Sequence, residues 1–146
     1  MFTGWSLHTM DEKGRLAIPA RFRGLLKSMG ATSVVVTTLD KCLVCYPPSQ
    51  WQALADKISR LPPLDPRVRA FKHAFISGAS ECEFDRQGRI LLPLSLREEA
   101  GLRDQVMVVG MQQSFELWDK ARWEEHRAQI LANFDELSAM ISEMGV

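Results

Sequence analysis

Asp11-Glu12-Lys13-Gly14-Arg15 gathers carboxylates, an ammonium and a guanidinium around one glycine within five residues. Such a group has two chemical uses. Aspartate at the first position of a four-residue turn and glycine at the fourth make good turn chemistry, and an Asp11–Arg15 pair then closes the hairpin. In the other use the cations face outward toward an anion. An arginine fork matches phosphate or the edge of guanine, and a lysine matches phosphate as a point charge. The residues alone leave both uses open. Arg21 and Arg23 follow shortly after Pro19 and extend the basic stretch.

The same frame returns 74 residues later as Asp85-Arg86-Gln87-Gly88-Arg89, and a proline follows four residues on in both places, Pro19 and Pro93. Farther along, Tyr46 with Trp51 matches Trp118 with Trp123 at an offset of 72, the difference fitting a longer loop near residues 28–32. Self-similarity of this kind has to be settled before local structure is read.

Each copy needs the same elements to hold its turn. Short strands are expected at 5–10 and 15–18, and at about 81–84 and 89–92, on either side of the two turns. Pro19 and Pro93 suit the first turn of a helix, where a missing N–H costs nothing. Two more strands follow in each copy, 33–39 with 42–46 and 105–111 with 115–118. Alternation along the strand puts Leu16 and Ile18 on one face and Arg15 with Ala17 on the other. With the first pair facing the core, Arg15 faces out beside Lys13, and Arg21 and Arg23 are expected to reach the same surface. A unit of about 45 residues is too small to bury a good core alone. The copies are therefore expected to pack as one pseudo-symmetric β-rich unit.

Helices account for the rest. Ser49 is expected to cap a helix carrying Leu54, Ile58 and Leu61, and Asp65-Pro66 to start another with Val68, Phe71 and Phe75. From Asp119 the pattern predicts one long amphipathic helix, with Ile130, Phe134, Leu137, Ile141 and Met144 forming a stripe suited to another helix or subunit. Packing on its own domain is an equally good use of that stripe.

Other chemistries find little support. Cys42-Leu43-Val44-Cys45 lacks a second ligand pair for zinc, and residues three apart in a strand point to opposite faces, so these thiols read as buried structural cysteines. His8, His73 and His126 stand in unrelated contexts, with no phosphate-cradling loop, metalloprotease helix or dinucleotide fingerprint near them. No enzyme activity, metal, cofactor or small-molecule substrate is expected. The aromatic pairs read as core anchors at strand-to-helix junctions, with base stacking as the lesser alternative. No apolar run approaches the roughly 20 residues of a membrane span, and three cysteines do not suggest a disulfide framework. A cytoplasmic protein is the expectation.

Charge is distributed unevenly. The total is zero, with 18 basic and 18 acidic side chains. Residues 1–30 carry five basic against two acidic groups, whereas residues 119–146 carry three against six. Residues 81–105, around the second turn, carry four against six. A basic front is a reason to look for an anionic partner there, and the second copy shares the frame without sharing that surplus.

The stretches HTMDEKGRLAIPARFR, CLVCYPPSQW, SGASECEFDRQGRILLP, REEAGL and ELWDKARW together resemble the MraZ family of bacterial transcriptional regulators. The likeness runs from Met1 to about Trp123. It implies an α+β fold of two swapped-hairpin, AbrB-like repeats packed as one unit, with connecting helices and a C-terminal helix. The corresponding organisation is a first DNA-binding repeat at 5–51, a helical connector at 52–80, a second repeat at 81–124 and a helical tail at 125–146. The family's D-x-x-x-R motif falls on Asp11 and Arg15 and again on Asp85 and Arg89. The resemblance further implies a ring-shaped homo-oligomer that binds direct repeats of double-stranded DNA in its own promoter, within a division and cell-wall gene cluster. Such a protein is cytoplasmic and nucleoid-associated. On this reading Arg15 reads guanine while Lys13, Arg21 and Arg23 sit on phosphates. The family often begins Phe-Arg-Gly where this chain has Phe2-Thr3-Gly4, and His73 stands where arginine is common. The competing reading is a protein-interaction or antitoxin-like module acting through the amphipathic tail.

Overall fold

The computed structural model describes all 146 residues. In chain order the elements are β1 (Trp5–Thr9), β2 (Arg15–Ala17), α1 (Ala20–Ser28), β3 (Ser33–Leu39), β4 (Cys42–Tyr46), α2 (Pro48–Ser59), α3 (Pro66–Phe75), β5 (Ser80–Glu83), β6 (Arg89–Leu91), α4 (Leu94–Glu99), β7 (Gln105–Gly110), β8 (Phe115–Asp119), α5 (Lys120–Ala132) and α6 (Phe134–Glu143). The first and second halves repeat the order strand, strand, helix, strand, strand, as the doubled frame predicts.

The strands exchange partners between the copies. Six of them form one sheet in the order β1-β7-β8-β4-β3-β5, and β2 pairs with β6 in a separate ribbon. Thus β1 of the first copy lies against β7 of the second, while β5 of the second lies against β3 of the first. The β4–β8 pair, Leu43 opposite Leu117, joins the two hairpins at the centre. This is an α+β fold of two swapped-hairpin repeats. Neither copy keeps its own first strand, so neither has a complete sheet alone.

Apolar alternation explains why the ribbon sits where it does. Leu16 and Ile18 from one copy and Ile90 and Leu92 from the other are all at most 1% exposed, and they plug the same core. Above them Phe2, Phe22 and Phe115 meet with ring centroids 5.1–5.3 Å apart, within the range in which tilted and edge-on aromatic pairs attract. The aromatic pairs anchor strand-to-helix junctions. Tyr46 and Trp51 are 5.9 Å apart beside Phe75, and Trp118 and Trp123 are 5.7 Å apart. Cys42 belongs to the Trp118–Trp123 cluster and Cys45 to the main core, so the two thiols lie on opposite faces of β4. Burial pushes the thiols of Cys42, Cys45 and Cys82 upward from their ordinary pKa.

Three local expectations are corrected. Ser49 does not cap α2; that helix begins at Pro48 with Pro47 in the cap position, because a fixed φ near −60° suits a helix start without a side-chain acceptor. Pro19 and Pro93 likewise stand just outside α1 and α4 as caps with extended ψ angles of 137° and 145°. The tail is two helices, not one. At Asn133 (φ −115°, ψ 14°) the helix breaks, and the Asn133 side-chain amide donates to the Gln129 carbonyl at 3.2 Å, competing with the backbone ladder. Asp65 does cap α3, accepting from the Arg67 N–H at 2.9 Å. No helix is long and apolar enough to cross a membrane.

Candidate nucleic-acid interface

Both turns are built the same way, atom for atom. The Asp11 carboxylate accepts the Lys13 and Arg15 N–H groups on Oδ1 at 3.0 and 2.9 Å, and Arg15 Nε donates to Oδ2 at 2.6 Å. Asp85 accepts the Gln87 and Arg89 N–H groups, both at 2.9 Å, and Arg89 Nε at 2.9 Å. The Gly14 N–H donates to the Asp11 carbonyl and that of Gly88 to the Asp85 carbonyl. Gly14 and Gly88 take φ of +92° and +75°, a region that glycine enters without a side-chain penalty. The D-x-x-G-R frame is therefore first an architectural device. Its two prior uses are compatible: one carboxylate takes one of the arginine's five N–H donors, leaving both terminal nitrogens of Arg15 for a ligand.

The turns cap opposite ends of the β2–β6 ribbon. The Leu92 N–H donates to the Gly14 carbonyl at 2.9 Å and the Ile18 N–H to the Gly88 carbonyl at 3.2 Å. Arg23 Nε donates to the Ile18 carbonyl at 3.0 Å and Arg97 Nε to the Leu92 carbonyl at 3.1 Å. Consequently Arg23 lies against Gly88 and Arg97 against Gly14: a Cβ at either glycine would fall 2.6 Å from the guanidinium. Each copy holds the other copy's turn.

The four cations expected to share one surface do not converge. Lys13 is exposed at the first turn and Arg15 is partly exposed beside it, with 37% of its side chain accessible. Arg23 is half-buried on the second turn, at the far end of the ribbon. Arg21 is exposed but points to the N-terminal segment, with Nη1 3.3 Å from Thr3 Oγ1, Nη2 on the Thr3 carbonyl and the guanidinium 5.1 Å from the centre of the Phe22 ring. The reason is helical: residues two apart on α1 point some 200° apart, so Arg21 and Arg23 cannot face the same way. Arg97 was missed as a partner of the first turn. Its signal was present, because Pro19 to Arg23 and Pro93 to Arg97 have the same spacing.

Electrostatics separate the two turns less at the tips than in the strands that feed them. The second turn sets Arg86 and Arg89 beside Asp85, and the first sets Lys13 and Arg15 beside Asp11 and the exposed Glu12, so the tip of the first turn is not the more basic. The strand entering the first turn, Trp-Ser-Leu-His-Thr, carries no carboxylate, whereas β5 brings Glu81 and Glu83. By strand rise Glu83 stands about 7 Å from the second turn, within the roughly 8 Å Debye length at physiological salt, and Glu81 about 13 Å away, where screening is stronger. Over strand and turn together, residues 5–15 carry two basic and two acidic groups and residues 80–89 two and three, so a polyanion meets somewhat less repulsion at the first. No group of three His, Cys, Asp or Glu side chains is placed to hold a metal ion.

The turn carboxylates respond to acid. The Arg15 N–H, followed by the Arg15 guanidinium, holds the Asp11 carboxyl below the ordinary aspartate pKa, and Arg89 does the same for Asp85. A carboxyl depressed in the folded state contributes its stability above the unfolded value near 3.9 and loses it as pH falls through the folded value. Urea midpoints at pH 7 and pH 3 will show a larger acid loss for the native chain than for Asp11→Asn/Asp85→Asn. An equal loss would mean the two carboxylates are not the titrating groups.

A family model described as "MraZ protein, putative antitoxin-like" matches twice, over residues 1–74 and 75–142. The chain is 45% identical over 125 residues to a protein of Syntrophobacter fumaroxidans named transcriptional regulator MraZ, covering 86% of this chain and 83% of that one. It is 42% identical to the protein so named in Pelotomaculum thermopropionicum (all of this chain, 99% of the other) and 43% identical to that of Moorella thermoacetica (all of both). The chain belongs to the MraZ family. Each match to the MraZ model holds one complete D-x-x-G-R turn, and the division at residues 74 and 75 falls at the end of α3. That boundary in sequence is not a boundary in space, since β5 from the second match completes the sheet of the first.

Proposed function

We propose that this MraZ-family chain is a DNA-binding transcriptional regulator that recognises direct repeats in the promoter of its own division and cell-wall gene cluster. Its DNA-reading element is the first turn. The observation that carries this reading is the Asp11-braced Arg15: its Nε is engaged at 2.6 Å, its orientation is set, and its terminal nitrogens are uncommitted. A guanidinium held in this way is prepared for bidentate contact with guanine O6 and N7 in the major groove. Lys13 beside it takes phosphate. Arg21 is a second phosphate contact only for DNA that also passes the N-terminal segment, and Arg23 works as a brace.

A neutral subunit whose first turn sets Lys13 and Arg15 beside Asp11 and Glu12 binds DNA weakly alone. Several copies with their first turns on one rim bind through effective concentration, and a ring-shaped homo-oligomer supplies that arrangement. The test is a salt titration of binding to the protein's own upstream DNA beside a scrambled duplex. The expected result is tighter binding to the native sequence, with log affinity falling about 0.9 per neutralised phosphate for both duplexes. Equal affinity for the two at every salt concentration would reject sequence-specific recognition.

One observation favours a second role for the tail. Every residue from 131 to 146 is exposed, and Phe134, Leu137 and Ile141 on α6 form an uncovered apolar stripe that Met144 continues at the helix end. Deleting residues 134–146 is expected to leave the melting temperature unchanged, because none of them is buried, while lowering the assembly mass read by light scattering. An unchanged mass would remove the tail from self-association and return it to the protein-interaction reading.

A further inference from the structure

We infer that Arg97, an arginine of the second repeat, is a positioning residue for the DNA-reading turn of the first. The inference rests on the function proposed above for that turn. Gly14 has its φ at +92° and its outer face closed: a Cβ there would lie 2.6 Å from Arg97 Nε and 2.9 Å from the Leu92 carbonyl oxygen. Arg97 is kept in place by its bond to that same carbonyl at 3.1 Å, and the Leu92 N–H bonds the Gly14 carbonyl at 2.9 Å. None of the five ion pairs in the structure includes Arg97. Its planar head serves as a plate behind the turn, a use for which lysine is no substitute. The peptide it backs lies between Lys13 and Arg15, the two residues that meet DNA. Precision of a binding group depends on the residues that lock it from behind.

The pseudo-twofold supplies an internal control. Arg23 makes the same contacts with Gly88 and the Ile18 carbonyl, and it backs the other turn. If these arginines served stability alone, their removal would have equal consequences. If Arg23 were a phosphate contact, its loss would be the more harmful to DNA binding, since it lies on the basic repeat. Positioning predicts the reverse.

The experiment compares Arg97→Ala, Arg97→Lys and Arg23→Ala in the full-length assembly. Amide hydrogen exchange without DNA is expected to quicken at residues 12–16 in both Arg97 variants and at residues 86–90 in Arg23→Ala. Affinity for the upstream duplex is expected to fall about tenfold in Arg97→Ala, the order of one bidentate base contact. Arg23→Ala should change it little, although both variants lower the melting temperature alike. The salt slope and the affinity for scrambled duplex should stay at native values. Unchanged exchange at residues 12–16, full rescue by Arg97→Lys, an equal loss of affinity in Arg23→Ala, or a slope reduced by about 0.9 per engaged subunit would each overturn the inference. Exchange decides the positioning role even if the first turn proves not to touch DNA, a failure that Arg15→Ala reveals separately.

Discussion

If the first turn reads DNA as proposed, Arg15→Ala is expected to abolish specific binding to the upstream promoter DNA, whereas Arg89→Ala is expected to leave most of it. The two arginines make matched contacts within their own turns, including Nε bonds to Asp11 and Asp85 at 2.6 and 2.9 Å. Both pairs are partly exposed, so each contributes little to stability and neither substitution threatens the fold. What differs is the charge of the approach: β1 carries no carboxylate and only Glu12 adds one to the first turn beyond Asp11, whereas β5 brings Glu81 and Glu83 toward Arg89. One bidentate contact to guanine is worth roughly 1–3 kcal/mol of discrimination, and the loss is repeated at every turn that engages a promoter repeat. That multiplication makes this the largest functional effect of any single substitution. Anisotropy with a labelled duplex measures it, and light scattering checks that the assembly is intact. A greater loss in Arg89→Ala would transfer the DNA-reading role to the second turn.

Phe115→Ala destabilises both repeats together, by about 3–5 kcal/mol. Phe115 is fully buried, lies on β8 opposite Cys45 in the central β4–β8 pair, and contacts Phe2 and Phe22 of the first copy. A cost of this size is a large fraction of the stability of an ordinary domain. The strand exchange leaves no subset of the sheet that is complete without both copies. Urea unfolding followed by far-ultraviolet circular dichroism and by tryptophan fluorescence is therefore expected to give one coincident transition, shifted to lower urea in the variant. The fluorescence samples separate regions, since Trp51 lies in the α2–α3 cluster and Trp118 with Trp123 beside α5. Two separated transitions would mean that the copies fold independently.

Much of the fold and part of the site were legible in the residues. The doubled D-x-x-G-R frame located both turns, because Asp and Gly at fixed positions in a tight turn answer to local sterics and to hydrogen bonds within five residues. Alternation placed Leu16, Ile18, Ile90 and Leu92 in the core for the same local reason. The separation of Cys42 from Cys45 followed from the two-residue strand period. The break at Asn133 was harder to see, since the apolar spacing continues through it and a side-chain bond to the Gln129 carbonyl decides the matter.

The cations of the first repeat are near in sequence without being near in space. Lys13, Arg15, Arg21 and Arg23 lie within eleven residues. Yet the helix turns Arg21 away from Arg23, and the ribbon carries Arg23 to the opposite turn. By itself the sequence determined the turns, the alternating strands, the buried aromatic junctions and the charge surplus at the front, all of which depend on residues a few positions apart. Only the tertiary structure decided which strand pairs with which copy, and hence that Arg97 backs Gly14 and Arg23 backs Gly88. The physical reason is that the two copies offer nearly equivalent edges and turns. Pairing within a copy and pairing across copies satisfy the same local rules, and the choice between them rests on closing one shared core that neither copy is large enough to build.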